Sequence, residues 1–118
     1  MPFRDARMHF EDMLTAIALV EEFIGEMDFA TYSADAKTKA AVERELQIIT
    51  EAAYRLTPDD ETLCPEPDWT EYRGMGNILR HGYHRINDEI IWNTVKDDLP
   101  KLKADVVRAL SQLSPPAP

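Results

Sequence analysis

Apolar residues recur at helical spacing along most of this chain, and this pattern constrains the fold more than any other feature of the sequence. In the first long stretch they follow at steps of four, three, three and four, which places them on one side of a helix: Phe10, Leu14, Ile17, Val20 and Ile24. A second stretch has the same kind of stripe: Val42, Leu46, Ile49, Ala53 and Leu56. No stretch has a strand pattern of comparable strength. The sequence therefore predicts an all-α fold, an antiparallel bundle of four to five helices.

Prolines and polar runs mark the joints between the predicted helices. The first helix is expected to cover about residues 4–27, and residues 28–33 to form a packed connection to the second. Residues 57–71 contain three prolines and six acidic residues but no basic one, which predicts a loop. Residues 1–113 are expected to form a single domain, and the proline-rich residues 114–118 a frayed tail.

The two long helices carry more apolar residues than one stripe needs. The additional ones are Met13, Leu19, Phe23 and Ile48. Two arrangements explain such a surplus: a homodimer that covers it, or a helix that is buried on all sides within one chain. The pattern alone leaves both arrangements open.

Composition bounds the class of protein without giving a function. The chain has 118 residues, of which 13 are basic and 22 acidic, and a formal net charge of −9. This balance argues against binding nucleic acid or an anionic membrane over the whole surface. No apolar run approaches the ~20 residues that span a bilayer, and the single cysteine, Cys64, fits a reducing compartment. The expected location is the cytoplasm, with no membrane partner.

Residues 72–87 depart from this acidic average. They contain no acidic residue, but three arginines and two of the three histidines: Arg73, Arg80, Arg85, His81 and His84. One interpretation is that this helix face pairs with the acidic residues just before it. The other is a small anion site that binds a phosphate group.

Helical geometry brings part of this set onto one side. Residues four apart share a face, so Arg73, Asn77 and His81 form a polar stripe, and Gly82 is expected to end the helix and turn Tyr83 away. An arginine can hold phosphate oxygens, and a histidine can move a proton near neutral pH. The stripe is therefore a plausible set of groups for handling a phosphate.

Other chemistries have weaker support. His81 and His84 are three residues apart, but they have no cysteine partner and no carboxylate within residues 72–87, so no metal site is predicted. Cys64 lies in the acidic segment, which disfavours a thiolate and argues against a nucleophile. The chain has no glycine-rich phosphate loop. We expect neither a metal nor another cofactor.

Residues 69–83, WTEYRGMGNILRHGY, resemble the HepT-like branch of the HEPN superfamily, and so do residues 44–52 and 91–102. These are small all-helical proteins encoded beside a minimal nucleotidyltransferase, and the resemblance covers nearly the whole chain. It implies a homodimer in which the motif helices of two protomers form a cleft. It also implies a metal-independent endoribonuclease, the toxin of a toxin–antitoxin pair, with RNA as substrate and the nucleotidyltransferase as antitoxin.

The family motif has an arginine, four residues, a histidine, one residue and a tyrosine, commonly with an asparagine directly after the arginine. This sequence matches the motif at Asn77, His81 and Tyr83. The resemblance implies that His81 is the general acid/base for attack of a ribose 2′-hydroxyl, with Asn77 beside it, and that the partner attaches AMP to Tyr83. The residues expected to bind RNA are Arg73, Arg80, His84 and Arg85.

The motif arginine itself is absent, because Gly76 stands at its position. This removes a cation expected to stabilise the phosphate in the transition state. Arg80 or Arg73 could supply the charge, since a cleft shared by two protomers relaxes the geometric demand. If neither does, the resemblance implies a non-catalytic dimeric protein that binds the nucleotidyltransferase or RNA without cleavage.

Overall fold

The computed structural model describes residues 2–113, and every regular element within them is helical. The side chains of residues 6–113, except that of Tyr83, are described. The helices are α1 (Pro2–Ile24), α2 (Phe29–Ala34), α3 (Ala36–Arg55), α4 (Pro58–Leu63), α5 (Trp69–His81), α6 (Asp88–Asn93) and α7 (Leu99–Gln112). A 3-10 turn (Tyr83–Arg85) separates α5 from α6, and a π-helical turn (Thr94–Asp98) joins α6 to α7. The all-α prediction is confirmed, while the predicted tail at 114–118 lies outside the described residues.

Four longer helices form the bundle, and the other three have six residues each. Helix α1 packs against α3 and α7, and α5 packs against α3. The apolar stripes predicted for the first two long helices face the core, where the largest of their side chains are fully buried: Phe10, Ile17, Val20, Val42, Leu46 and Ile49. The bundle therefore follows from the same periodicity that predicted the helices.

Packing within one chain accounts for most of the apolar surplus on the long helices. Met13 is fully buried, and Phe23 and Ile48 are partly buried against the core. Leu19 is also partly buried. These residues give no separate argument for a dimer.

The end of α1 and the connection after it differ from the prediction. Helix α1 ends at Ile24 instead of about residue 27, because Gly25 adopts a φ of +51°, a conformation that glycine reaches without strain. The predicted connection at 28–33 contains most of α2, whose N-terminus is capped by the Asp28 carboxylate, 2.8 Å from the Thr31 N–H. A single cap suffices for so short a helix when tertiary contacts hold it, and Tyr32 of α2 is buried.

The segment predicted to be a loop at 57–71 also contains a helix, α4. Thr57 and Asp60 form a reciprocal capping box, in which each side chain accepts a hydrogen bond from the other residue's N–H. Pro58 stands at the first position of α4, where its missing N–H costs nothing. The same residues that stop α3 therefore start α4, which the loop prediction did not take into account.

Helices α3 and α5 cross closely, and this crossing sets the position of α5, the helix that carries the predicted site residues. Gly76 is buried there, and a Cβ built on it would lie 2.8 Å from both Cβ and Oγ1 of Thr50. One turn away, Gln47 Nε2 donates a hydrogen bond to the Leu79 carbonyl at 3.2 Å. Because residue numbers rise along α3 as they fall along α5, the two helices run antiparallel. Glycine at position 76 is what allows their backbones to come this close.

Candidate active site

Helix α5 presents Asn77 and His81 on one exposed face, one turn apart. Among the residues that the structure describes, neither side chain has a hydrogen-bond or ion-pair partner. The amide and the imidazole are therefore both available to a molecule that binds along this face. Of the three residues in the predicted polar stripe, Asn77 and His81 are the two whose side chains have no partner among the described residues.

The end of α5 lies directly beside this pair. The Gly82 N–H donates to the Ile78 carbonyl at 2.8 Å and ends the helix, as predicted. The Arg85 side chain lies over Gly82, since a Cβ built on Gly82 would be 3.1 Å from Arg85 Nε and 3.2 Å from Nη2. A guanidinium at this place complements the partial negative charge of the helix C-terminus. His84 is exposed in the same turn, which also contains the backbone of Tyr83.

Arg73 is engaged on another side of the bundle. Its Nη1 lies 3.0 Å from Glu61 Oε2 of α4, and its Nη2 lies 3.3 Å from Thr70 Oγ1. The interpretation that this helix face pairs with the preceding acidic residues therefore holds for Arg73. Among the described residues, no carboxylate forms an ion pair with Arg80 or Arg85, so the predicted cations divide into one that is paired and two that are not.

Arg80 has an aromatic neighbour that the sequence analysis missed. Its guanidinium carbon lies 5.8 Å from the centroid of the Tyr54 ring, within the range of a cation–π interaction. Tyr54 is 64% exposed, although it stands in the last turn of a core helix. The sequence did contain a signal for this contact, because Tyr54 is an aromatic residue that lies off the apolar stripe of α3. Such a residue is either exposed or in contact with a particular neighbour.

Helix α6 is tied to the rest of the bundle by a polar cluster. The Asp88 carboxylate accepts hydrogen bonds from Ser33 Oγ at 2.9 Å and from Lys39 Nζ at 3.2 Å. Burial, followed by the nearby Asp88 charge, raises the pKa of Glu43 above its ordinary value. Burial likewise raises the pKa of Tyr32, whose hydroxyl has no hydrogen-bond partner among the described residues. The cluster fixes the start of α6 and with it the turn that contains Arg85.

Cys64 is buried in the interior, away from the exposed face of α5. Burial, with Glu66 and Asp105 nearby, raises the pKa of its thiol to about 12, so it stays protonated at neutral pH and is a poor nucleophile. Within the described part of the chain, no group of three or more histidine, cysteine or carboxylate residues is arranged to hold a metal ion. The chemistry available on α5 is therefore that of an imidazole, an amide and guanidinium groups.

An apolar groove of about 350 Å³ lies between α5 and α6, next to the Asn77 and His81 face. Its lining includes Met75, Ile78, Ile86, Ile90 and Ile91. Ile78 is 36% exposed and Ile90 59% exposed, so isoleucine side chains on both sides of the groove contact solvent. Exposed apolar residues grouped in this way are typical of surfaces that bind another macromolecule.

None of the described helices combines the length and the apolar character that crossing a membrane requires.

Residues 13–109 match the family model HepT-like, described as "Ribonuclease HepT-like". The chain is 40% identical over 100 residues to "Probable ribonuclease HepT" of Thermococcus cleftensis, an alignment that covers 85% of this chain and 91% of that protein. It is 34% identical over 106 residues to "Putative RNase MJ1380" of Methanocaldococcus jannaschii, covering 90% of this chain and 97% of that protein. No solved structure gives a significant match. The matched residues include all of α5.

Proposed function

Because the chain belongs to the HepT-like ribonuclease family, we propose that it is a metal-independent endoribonuclease and the toxin of a toxin–antitoxin pair. The observation that carries this proposal is the exposed pair Asn77 and His81 on α5, with two arginines nearby that no described carboxylate neutralises. Cleavage of a phosphodiester requires a group that can accept a proton, which an unpaired imidazole can do, and cationic groups that stabilise the charge on the phosphate.

In the proposed mechanism, the His81 imidazole takes the proton of a ribose 2′-hydroxyl, and the resulting oxygen attacks the neighbouring phosphorus. The bond to the 5′-oxygen breaks, that oxygen takes up a proton from water, and the His81 imidazolium returns its proton to solvent, which leaves a 2′,3′-cyclic phosphate and a free 5′-hydroxyl. The Asn77 amide donates a hydrogen bond to a phosphate oxygen. Arg80, Arg85 and His84 hold the RNA backbone, and Arg73 contributes only where the RNA competes with Glu61.

We expect the purified protein to cleave RNA in the presence of EDTA. The substrates are a transfer RNA and a messenger RNA, and the products should end in 2′,3′-cyclic phosphate, because the proposed nucleophile is internal to the RNA. A DNA strand of the same sequence, which has no 2′-hydroxyl, is the matched control and should stay intact. If the protein cleaves neither RNA, the non-catalytic alternative is the better reading, and the absence of an arginine at position 76 is the observation that favours it.

A second copy of this chain is the proposed occupant of the apolar groove. Gly74 and Ile78 of α5 line the groove and neighbour Asn77 and His81 around the helix, so a two-fold contact there would bring the motif residues of two protomers toward one cleft. Replacing Ile90 with aspartate should shift the protein from dimer to monomer in sedimentation velocity and reduce cleavage. Val107→Asp is the control, because Val107 is 49% exposed on α7 and does not line the groove. If the Val107 variant is monomeric and the Ile90 variant stays dimeric, the dimer contact lies outside the groove.

The antitoxin is proposed to be a minimal nucleotidyltransferase that attaches AMP to Tyr83. The family resemblance of residues 69–83 supports this assignment, together with the position of Tyr83 two residues after His81. A bulky, negatively charged group at this position would repel RNA from the neighbouring imidazole and guanidinium groups. Modification would therefore silence the toxin without unfolding it.

A further inference from the structure

The Arg80 side chain occupies the space beside Gly76, where the family motif has its arginine. A Cβ built on Gly76 would lie 3.4 Å from Arg80 Nη1, which is ordinary van der Waals contact. The guanidinium is held on its other flank by the Tyr54 ring, whose centroid is 5.8 Å away. Any side chain longer than alanine at position 76 would compete with this guanidinium for space.

The direction of helical side chains explains why these groups meet. In an α-helix the Cα–Cβ bonds tilt toward the N-terminus, so Arg80 reaches back one turn toward Gly76. Tyr54 reaches back along α3 toward Thr50 for the same reason. Since α3 and α5 run antiparallel with Thr50 beside Gly76, both side chains converge on the crossing of the two helices. The packing of the bundle, and not the local sequence alone, sets the position of this guanidinium.

Around the axis of α5, position 80 is also closer than position 76 to the face that carries Asn77 and His81. At about 100° per residue, Arg80 is about 100° from His81 and about 60° from Asn77 around the helix. Position 76 is about 140° from His81 and about 100° from Asn77. Arg80 is therefore attached closer around the helix to the face that carries the imidazole, and its side chain folds back one turn to the level of position 76.

We propose that Arg80 supplies the cation that stabilises the phosphate in the transition state, in place of the missing motif arginine, and that Tyr54 is a positioning residue that holds its guanidinium. This inference rests on the proposed ribonuclease function. Arg80 is exposed and, within the described chain, has no carboxylate partner, so a phosphate can reach it. Arg73 is already paired with Glu61 on another side of the bundle.

The first test compares two arginines that are both exposed. We expect Arg80→Gln to lower kcat by about 10²- to 10³-fold, because it removes a charge that acts on the transition state, while KM changes much less. Arg55→Gln is the matched control, since Arg55 is 60% exposed and its ion-pair partner among the described residues is Glu51, on the surface of α3; it should cleave RNA as the wild type does. Both variants should keep the wild-type unfolding temperature.

The second test separates positioning by Tyr54 from mere packing. Tyr54→Leu should lower kcat by about two- to fivefold, the range expected when an exposed cation–π contact is lost. Tyr54→Phe keeps the ring and should restore the wild-type kcat. Combined with Arg80→Gln, Tyr54→Leu should have no additional effect on kcat, because the group that it positions is then absent.

Specific outcomes would overturn the inference. If Arg80→Gln cleaves as fast as Arg55→Gln while His81→Ala is inactive, the ribonuclease function stands and Arg80 is not its cation. A rise in KM with an unchanged kcat would mean that Arg80 binds RNA without acting on the transition state. If the wild type cleaves no RNA, the proposed function fails and this inference fails with it.

Discussion

Replacing His81 with alanine is expected to lower the rate of RNA cleavage by about 10²- to 10⁴-fold, the usual contribution of a general acid/base. The imidazole is exposed on α5, and no described residue holds it in a hydrogen bond or an ion pair, so the fold does not depend on it. The unfolding temperature of His81→Ala should therefore equal that of the wild type. The measurement is kcat on a defined RNA oligonucleotide in EDTA, with the unfolding temperature recorded on the same preparation.

The chain offers a matched control for this substitution in His9, a partly buried residue of α1 that lies near Ile48 and Arg55 of α3. His9→Ala removes an imidazole of the same kind but should leave kcat unchanged. Equal activity in His81→Ala and the wild type would show that another group transfers the proton. A similar loss in both variants, accompanied by a lower unfolding temperature in both, would point to instability instead of catalysis.

Placing an arginine at position 76, which restores the family motif, is expected to destabilise the protein by about 1–2 kcal/mol and not to raise its activity. The new Cβ would lie 2.8 Å from Thr50 Cβ, an atom attached directly to the α3 backbone, so the two helices must move apart. Overpacking of this kind costs about 1–3 kcal/mol or more, against the ~1 kcal/mol gained when a helical glycine is replaced. The arginine side chain would also displace the Arg80 guanidinium. The free energy of unfolding in urea and kcat are the two measurements.

Two alanine variants separate the collision from the general effect of replacing a glycine. Gly74 has no atom within 4 Å of a built Cβ, so Gly74→Ala should stabilise the helix by about 0.5–1 kcal/mol. Gly76→Ala should instead lower the stability of the protein. Adding Thr50→Gly to the Gly76→Ala variant should reduce this loss, because it removes the opposing Cβ. A Gly76→Arg protein that is as stable as the wild type and cleaves RNA faster would contradict this account and show that the missing arginine limits activity.

Much of the fold could be predicted from the sequence because one physical effect dominates it. Burial of apolar side chains at a period of 3.6 residues decides where the long helices lie, and their stripes through Phe10 and Val42 face the core as expected. The short helices α2 and α4 were missed, because helices of six residues are not stable alone and depend on caps and tertiary contacts. Thr57 stops one helix and caps the next, so the same local signal has two meanings.

The candidate site likewise has features that the sequence could predict and features that it could not. The window of basic residues at 72–87 and the spacing of Asn77, His81 and Tyr83 are local properties, and they single out this helix without any structure. The pairing of Arg73 with Glu61, twelve residues earlier in the chain, depends on how α4 folds back against α5. Charge patterning along the chain could not decide which arginine would be neutralised, because an ion pair forms between neighbours in space.

By itself, the sequence determined that this chain is helical, which side of each long helix is buried, and that an imidazole and an amide share one face of α5. These properties depend on residues three or four positions apart, whose relative placement a helix fixes. Only the tertiary structure decided that Gly76 lies against Thr50 and that Arg80 and Tyr54 meet beside it. The reason is that this crossing joins α3 and α5, whose contact residues are more than twenty positions apart, and the distance between the two helices is set by packing of the whole bundle.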